Sequence, residues 1–273
     1  MARKWTRDEK KFYRFQLIKL YIEENKTINE IGLILDISPS GVFDRLKRLN
    51  IPTIPQNKEK YRNQRSDIII PNHSNDLAEF IGIMLGDGHL SHFQTTVTLG
   101  SKEISYAQYV GELMKYLFGS MAHISLQNKE YRIVYIGSTQ VTDWLQVEGL
   151  VFNKVKSQVD VPNWIFEKDT YMERFIRGFF DTDGSVYELK YGIQISFTNR
   201  SRPLLRSLQQ ILLALNYNVS AISGYQLYIT QIDDIRRFFR EIAPKNLKHV
   251  ERFKTFITRY DNIRTGSPVG CGG

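Results

Sequence analysis

The chain has 273 residues, of which 42% are hydrophobic and 12% are aromatic, enough for packed cores in one or two domains. Its net charge of +8 at pH 7 and its pI of about 9.4 favour a polyanionic partner, although charge alone does not separate nucleic acid from an acidic membrane. No apolar run reaches the ~18 residues of a membrane span, and the single cysteine, Cys271, excludes an internal disulfide and a cysteine-based zinc site.

The first residues carry no secretion signal. Met1–Trp5 leads directly into charged residues and not into an apolar core. We therefore expect a soluble intracellular protein, in the cytoplasm or an organelle matrix, without a membrane partner.

Residues 1–50 are predicted to form a small helical module. A capping pattern at Thr6 predicts a first helix through about Glu24, and a short second helix follows Thr27. Ser38 is a favourable N-cap for a third helix over 39–49. The exposed face of that third helix is polar and basic, with Ser40, Asp44, Arg45, Lys47 and Arg48.

Two helices joined by a tight turn, the second with a basic face, resemble a helix-turn-helix. Such a module would place the helix over 39–49 in the major groove. The predicted DNA-binding residues on that helix are Ser40, Arg45, Lys47 and Arg48. The alternative is a helical cap that only packs on the main domain.

Residues 51–75 are predicted to be a linker, because Pro52, Pro55 and Pro71 interrupt them. A short helix is expected at 57–65 within this linker. Its basic residues can follow DNA phosphates or can simply be solvated. The candidates for phosphate contact are Lys58, Lys60 and Arg62, with Arg65 beside them.

Two stretches of similar sequence organise the rest of the chain. Residues 80–88 are F-I-G-I-M-L-G-D-G and residues 176–184 are I-R-G-F-F-D-T-D-G. Their Asp-Gly pairs contain Asp87 and Asp183, which lie 183 − 87 = 96 residues apart. We infer a duplicated unit of roughly 100 residues.

The pattern after each stretch predicts the same order of elements, αββαββα, in repeats spanning 76–170 and 171–264. The fold class is therefore α+β, with two pseudo-symmetric repeats and antiparallel, saddle-shaped sheets, four strands each, flanking a central helix pair. A nine-residue tail, 265–273, is expected to be disordered. In the first repeat we predict strands within 89–99, a helix at 104–118, a hairpin at 123–137 and a helix at 139–148. In the second we predict strands within 185–198, a helix at 202–215, a hairpin at 219–230 and a helix at 232–242.

Each stretch is expected to form a helix that ends in a left-handed glycine cap and presents its Asp at the helix end. Small residues four apart, Gly82 with Gly86 and Gly178 with Thr182, let two helices approach closely. The two aspartates would then meet and repel each other unless a cation or a proton lies between them. Two core helices with ordinary Asp-Gly turns are the alternative, but two matched copies favour a divalent metal site with oxygen ligands.

The two stretches resemble the paired signature motifs of the LAGLIDADG homing endonucleases in their single-chain, two-repeat form. The first keeps Gly82, Asp87 and Gly88 but has Leu85 where the family has its first Asp. The second keeps this pattern throughout, with Gly178, Asp181, Asp183 and Gly184. The resemblance covers residues from about 77 to 260.

This resemblance implies a hydrolytic site at which divalent ions activate water and neutralise the leaving oxygen. It implies Mg²⁺, with Mn²⁺ as a substitute and Ca²⁺ binding without efficient cleavage. The implied metal ligands are the carboxylates of Asp87 and Asp183 and the backbone carbonyls of Gly86 and Thr182. The implied supporting residues are Ser101 and Asn199, with Lys154 or Lys156 in the first repeat and Lys248, or alternatively Lys245, in the second.

A curved antiparallel sheet can lie in the major groove and read bases with alternate side chains. The predicted DNA-binding strand residues are Gln94, Thr96, Lys190 and Gln194, beside His92, Thr98, Glu188 and Ser196. The sequence does not decide which alternate set faces DNA.

Three functions remain open. The first is a monomeric, intron-encoded homing endonuclease that cuts both strands of a long asymmetric DNA site and leaves short 3′ overhangs. The second is a transcription regulator on the same scaffold, and the third is a maturase that binds intron RNA. Retention of Asp87 and Asp183 favours the nuclease, because a protein that only binds has no need of paired buried carboxylates. An intein is disfavoured, since the chain opens with Met1 and ends without a His-Asn pair.

Overall fold

The computed structural model describes residues 5–24, 26–51, 53 and 67–265. The chain divides into two compact units, Met1–Arg62 and Asn63–Gly273. Each has a hydrophobic core of its own among the described residues. The predicted helix at 57–65, the linker residues Lys58, Lys60, Arg62 and Arg65, Cys271 and the tail from 266 onward lie outside the described residues.

Among its described residues, the first unit contains three α-helices, at the positions that capping and periodicity predict. They are α1 (Arg7–Leu17), α2 (Ile28–Leu35) and α3 (Pro39–Arg48), and a six-residue π-helical segment, Ile18–Glu23, continues α1. Thr6 and Thr27 each form a capping box, and the hydroxyl of Ser38 accepts the amide N–H of Gly41 at 3.1 Å. The turn before α3 passes through Asp36 in the left-handed region, with φ of 50°.

The two halves of the second unit have similar but not identical orders of elements. The first repeat has α4 (Asn75–Leu85), β1 (Gly88–Ser91), β2 (Gln94–Gly100), α5 (Ile104–Phe118), β3 (His123–Gln127), β4 (Tyr131–Gly137) and α6 (Thr139–Val147). The second has α7 (Asp169–Asp183), β5 (Gly184–Leu189), β6 (Gly192–Thr198), α8 (Arg202–Ala214), β7 (Gln226–Ile229), α9 (Ile232–Glu241) and α10 (Leu247–Thr265). A 3₁₀ turn, Asn163–Glu167, precedes α7. The predicted α+β class with antiparallel sheets is confirmed.

The two sheets differ in size among the described residues. The first has the strand order β1-β2-β4-β3, and the second has only β5-β6-β7, all antiparallel. The prediction of a fourth strand in the second sheet is wrong. Val219 forms an isolated bridge to Ile229, and the hydroxyl of Ser220 accepts the N–H of Tyr228 at 3.0 Å. A side chain that takes over a backbone partner competes with a continuous strand ladder.

The helices α4 and α7 pack against each other at the centre of the second unit. Their crossing depends on two glycines, because a Cβ at Gly82 would overlap the carbonyl of Phe175 and one at Gly178 would overlap the carbonyl of Glu79. The close approach expected from the spacing of small residues is therefore present.

The predicted left-handed glycine caps are wrong at both motif helices. Gly86 follows α4 with φ of −77°, and Gly184 follows α7 in an extended conformation with φ of −88°. Gly88 and Gly184 instead begin β1 and β5. Glycine is required at these positions because a larger residue would not fit, and not because the backbone needs a positive φ. A Cβ at Gly88 would overlap Met84, and one at Gly184 would overlap Phe180.

The 19-residue helix α10 ends the second repeat and has no helical counterpart in the first. It packs on β5 and β6, and its Phe253 stacks on Phe239 of α9 with ring centroids 3.9 Å apart. In the part of the chain that the structure describes, every helix is too short or too polar to span a bilayer.

Candidate active site

The candidate site lies where the two motif helices end side by side. Asp183 is the last residue of α7, and Asp87 lies between α4 and β1. The backbones meet just before the aspartates, because a Cβ at Gly86 would overlap the side chain of Thr182. The crossing of α4 and α7 thus delivers one carboxyl from each repeat to a single place.

Both carboxyls are perturbed by their surroundings. Burial, followed by the nearby charge of Asp183, raises the pKa of Asp87 to about 6. Burial also raises the pKa of Asp183, against the hydrogen bond from Asn199 and the charge of Lys154. When burial raises the pKa values of two neighbouring carboxyls in this way, a proton or a cation between them is favoured.

Lys154 supplies a positive charge at this point. Its ammonium donates to the carbonyl oxygens of Met84 at 3.1 Å and Leu85 at 3.2 Å, and to that of Gly86. Burial lowers the pKa of Lys154, while the carboxylates of Asp183 and Asp87 oppose that shift. Of the two lysines left open for the first repeat, the structure brings Lys154 into the site.

Lys156 and Lys245 do not reach the site through their ammonium groups. Lys156 is exposed, and its backbone N–H donates to Asn153 at 3.0 Å. The side chain of Lys245 is also exposed, while its backbone N–H donates to Asp181 at 2.8 Å.

The polar partners of the two aspartates differ. The amide of Asn199 donates to the carboxylate of Asp183 at 2.9 Å, as its implied supporting role requires. Ser101, the implied counterpart in the first repeat, has its carbonyl bound by Arg132 at 2.9 Å and is not joined to Asp87 by that contact. The structure therefore supports the placement of Asn199 but not that of Ser101.

Glu103 occupies the place expected of Ser101 and was missed from the sequence. Its charge raises the pKa of Asp87. Its carboxylate accepts from the side-chain amide of Asn246 at 2.6 Å and from Lys248 at 3.1 Å, and both of these donors come from the second repeat. The offset between the motifs could have identified it, because 199 − 96 = 103.

The loop that carries Lys248 is anchored by Asp181. This carboxyl accepts the backbone N–H groups of Lys245 at 2.8 Å and Asn246 at 3.1 Å. Its pKa is raised to about 7, because burial outweighs these two hydrogen bonds. Asp181 thus holds the loop, and Lys248 lies near enough to lower the pKa of Asp87.

The alternation of buried and open positions now decides which strand residues face away from the core. On β2, Thr95, Val97 and Leu99 are buried, so Gln94 and Thr96 lie on the open face. On β6, Gln194 is half-buried and Thr198 is exposed, whereas Ser196 between them is buried. Lys190 is exposed in the turn between β5 and β6, with its ammonium 5.0 Å from the ring centroid of Tyr191.

Two of the other strand candidates lie elsewhere. Glu188 pairs with Arg259 of α10 at 2.9 Å and so lies on the covered side of its sheet, contrary to expectation. His92 is in the turn between β1 and β2, against the ring of Phe152.

The candidates on α3 also separate into two kinds. Ser40, Lys47 and Arg48 are exposed. The guanidinium of Arg45 instead donates to the carbonyl of Gly41 at 3.0 Å and lies 4.7 Å from the ring centroid of Tyr13. Arg45 therefore has a packing role within the first unit.

The donor set at the motif helices fits a hard divalent cation. It offers carboxylate oxygens from Asp87 and Asp183 and the backbone carbonyl of Gly86, which already accepts from an ammonium. No cluster of three or more Asp, Glu, His or Cys residues forms among the described residues. An ion bound here would complete its coordination with water and phosphate oxygens, as Mg²⁺ commonly does.

Sequence comparison assigns the two repeats. Residues 170–243 match the family model described as a LAGLIDADG-like domain, and residues 78–153 match the model described as the WhiA LAGLIDADG-like domain. The chain belongs to the LAGLIDADG family and carries two such domains in tandem.

Curated relatives match only in part. The chain is 31% identical over 134 residues to the tRNA-splicing ligase RtcB of Pyrococcus furiosus. The aligned segment covers 42% of this chain and 14% of that protein. It is 23% identical over 192 residues to the replication factor C small subunit of Methanocaldococcus jannaschii. That aligned segment covers 68% of this chain and 10% of the other protein. The chain therefore spans a small fraction of the length of these relatives.

Three solved structures are similar to this chain over most of their own length. The N-terminal LAGLIDADG domain of DUF199/WhiA is 19% identical, with a TM-score of 0.45 and coverage of 63% of this chain and 86% of that one. I-DmoI in complex with DNA and Ca is 15% identical, with a TM-score of 0.45 and coverage of 62% of this chain and 88% of that one. The I-SmaMI homing endonuclease bound to cleaved DNA is 13% identical, with a TM-score of 0.44 and coverage of 72% and 92%.

Proposed function

We propose that the protein is a divalent-metal-dependent homing endonuclease that hydrolyses both strands of a long double-stranded DNA site. The observation that carries this proposal is the meeting of Asp87 and Asp183 at the ends of α4 and α7. Two buried like charges are costly to keep, and a protein that only binds DNA gains nothing from them.

The open faces of the two sheets supply the DNA-binding surface. One row of cross-strand neighbours on the first sheet is polar or aromatic and consists of His89, Thr96, Tyr135 and His123. The matching row on the second sheet is Ser185, Ser196 and Tyr228, of which Ser185 and Tyr228 are half-buried and Ser196 is buried. Because the two rows differ in chemistry, the two halves of the target differ in sequence, and one chain suffices to contact both.

The chain's own residues divide the chemical work. Asp87, Asp183 and the carbonyls of Gly86 and Thr182 would hold divalent ions, which would activate water and stabilise the leaving oxygen. Asn199 fixes the orientation of Asp183 through its 2.9 Å hydrogen bond. The ammonium groups of Lys154 and Lys248 place positive charge beside the scissile phosphates.

The test is cleavage of a plasmid that carries the uninterrupted host locus, in Mg²⁺ and in Mn²⁺, with binding measured in Ca²⁺. Asp87→Asn and Asp183→Asn should each lower cleavage by about 100-fold or more while DNA binding persists, since each change removes a metal-binding charge and not a DNA contact. Asp143→Asn, on the exposed side of α6, is the matched control and should cut normally.

A transcription regulator is the second candidate, and one observation favours it. Lys154 already places an ammonium near both carboxylates, so the pair is compensated without any metal. This function is preferred if the wild type binds its site but never cuts it in Mg²⁺ or Mn²⁺. If both aspartate variants cut at the wild-type rate, Asp87 and Asp183 do not form the active site.

A further inference from the structure

We propose that Lys154 is a built-in counter-ion, whose ammonium binds the carbonyl of Gly86 beside the motif carboxylates until an incoming divalent ion displaces it from that carbonyl. This inference rests on the proposed function only in taking the site to bind a divalent ion. It concerns the protein before metal and DNA arrive.

The first argument is the position of the ammonium group. Its hydrogen bonds to Met84, Leu85 and Gly86 all go to carbonyl oxygens at the end of α4. The last carbonyls of a helix have no partner within the helix and carry its negative dipole end, so they attract a cation. The carbonyl of Gly86 is also a proposed metal ligand, and the ammonium and the metal compete for it directly.

The second argument is charge. Asp87 and Asp183 are close enough for each to be affected by Lys154, and they repel each other across the helix crossing. A buried carboxylate pair without a cation is strongly unfavourable. The ammonium therefore keeps the empty site folded, and a divalent ion takes over that task when it binds.

The third argument is that another lysine cannot easily replace Lys154. The ammonium of Lys248 is already bound to Glu103 at 3.1 Å. That of Lys156, two residues along the same loop, is exposed to solvent. Removal of the Lys154 side chain should therefore destabilise the metal-free protein.

The experiment compares Lys154→Met with Lys156→Met in the full chain, two identical chemical changes in one loop. In EDTA, Lys154→Met should unfold at a clearly lower temperature than the wild type, and Ca²⁺ should restore it. Ca²⁺ should bind Lys154→Met about tenfold more tightly by calorimetry, because a competing unit charge has gone. Lys156→Met should match the wild type in both measurements. Ca²⁺ affinity for Lys154→Met at or below that of the wild type overturns the proposal.

A measurement on the wild type covers the case in which Lys154→Met does not fold without metal. The acylation rate of each lysine is mapped by mass spectrometry, with and without Ca²⁺. Lys154 should react faster once Ca²⁺ is bound, while Lys156 reacts equally in both conditions. An unchanged rate at Lys154 under saturating Ca²⁺ overturns the exchange.

The outcomes separate this inference from the nuclease proposal. If Ca²⁺ releases Lys154 but no DNA is cut in Mg²⁺ or Mn²⁺, the counter-ion stands and the nuclease fails. If DNA is cut but Lys154→Met gains no Ca²⁺ affinity, the counter-ion fails and the nuclease stands.

Discussion

Asp87 and Asp183 occupy matched positions in the two motifs but have different neighbours. Asp183 receives a neutral donor from Asn199, whereas Asp87 faces the charge of Glu103. The two halves of the site are therefore unequal in charge. The pKa of Asp87 is raised to about 6, so its protonation should respond to pH near that value.

Metal binding should weaken as the pH falls below 6. The pKa of Asp87 is about 6, raised mainly by burial and next by Asp183, so the proton-bound, neutral form dominates below that pH. A proton and a metal ion compete for the same oxygens, so Ca²⁺ affinity should fall by up to about tenfold per pH unit below pH 6. Calorimetry at about pH 5, 6 and 7 measures this change in Ca²⁺ affinity. Equal affinity across this range would show that Asp87 does not hold the ion.

Replacing Glu103 should move this pH dependence. Glu103→Gln removes a negative charge that raises the pKa of Asp87, and it also weakens the hold on Lys248, which lowers that pKa. The effect of Glu103 on Asp87 is the larger of the two. The midpoint for Ca²⁺ binding should therefore shift to lower pH, and cleavage should fall only several-fold, roughly the effect of loosening one charged contact. A midpoint that stays or rises would exclude the coupling of Glu103 to Asp87.

At the scale of helices and strands, the crossing of α4 and α7 should be intolerant of a single methyl group. Gly82→Ala and Gly178→Ala each place a Cβ against a backbone carbonyl of the other helix, which cannot move aside as a flexible side chain could. Each should cost about 1–3 kcal/mol of the free energy of unfolding, the usual cost of overpacking. Thermal or denaturant unfolding gives the value. Gly192→Ala is the control, since its Cβ would meet nothing within 4 Å.

Comparison with the sequence shows which elements local patterns determine. Apolar periodicity and the Asn128-Lys129 turn, where both residues have positive φ, predict the elements of the first repeat closely. The helix α10 was missed because duplication predicts no helix at that place, although Val250, Phe253 and Ile257 have helical spacing. The fourth strand was predicted wrongly because a serine hydroxyl, and not an apolar pattern, decides the pairing at 220.

The site was predictable to the extent that it lies within the repeats. The spacing of the motifs predicts that Asp87 and Asp183 lie together, and the packing of α4 against α7 holds them there. The choice between Lys154 and Lys156 depends on the path of a loop without regular structure, which spacing does not determine. The motif offset could have identified Glu103, but not its partners Asn246 and Lys248, which are more than 140 residues away, 246 − 103 = 143 for the nearer one.

At the scale of the whole molecule, the two units have separate cores and carry different candidate contacts. The core of the first unit includes Leu17, Ile31 and Leu46 and is distinct from the cluster around the motif helices. Lys47 on α3 is exposed, whereas Arg45 is packed on Tyr13. Lys47→Ala therefore tests DNA contact, and Arg45→Ala tests the packing of the unit.

Deletion of residues 1–62, the whole first unit, should separate DNA affinity from cutting. The proposed helix-turn-helix adds phosphate and base contacts beyond those of the two sheets, so its loss should weaken binding and shorten the protected DNA. The remaining unit keeps its own core and both aspartates, so it should still fold and still cut at higher protein concentration. Circular dichroism, nuclease protection and cleavage assays measure these three properties. In the full chain, Lys47→Ala should lower affinity at an unchanged unfolding temperature. If the shortened protein binds as tightly over the same length of DNA, the first unit is a helical cap and not a DNA-binding module.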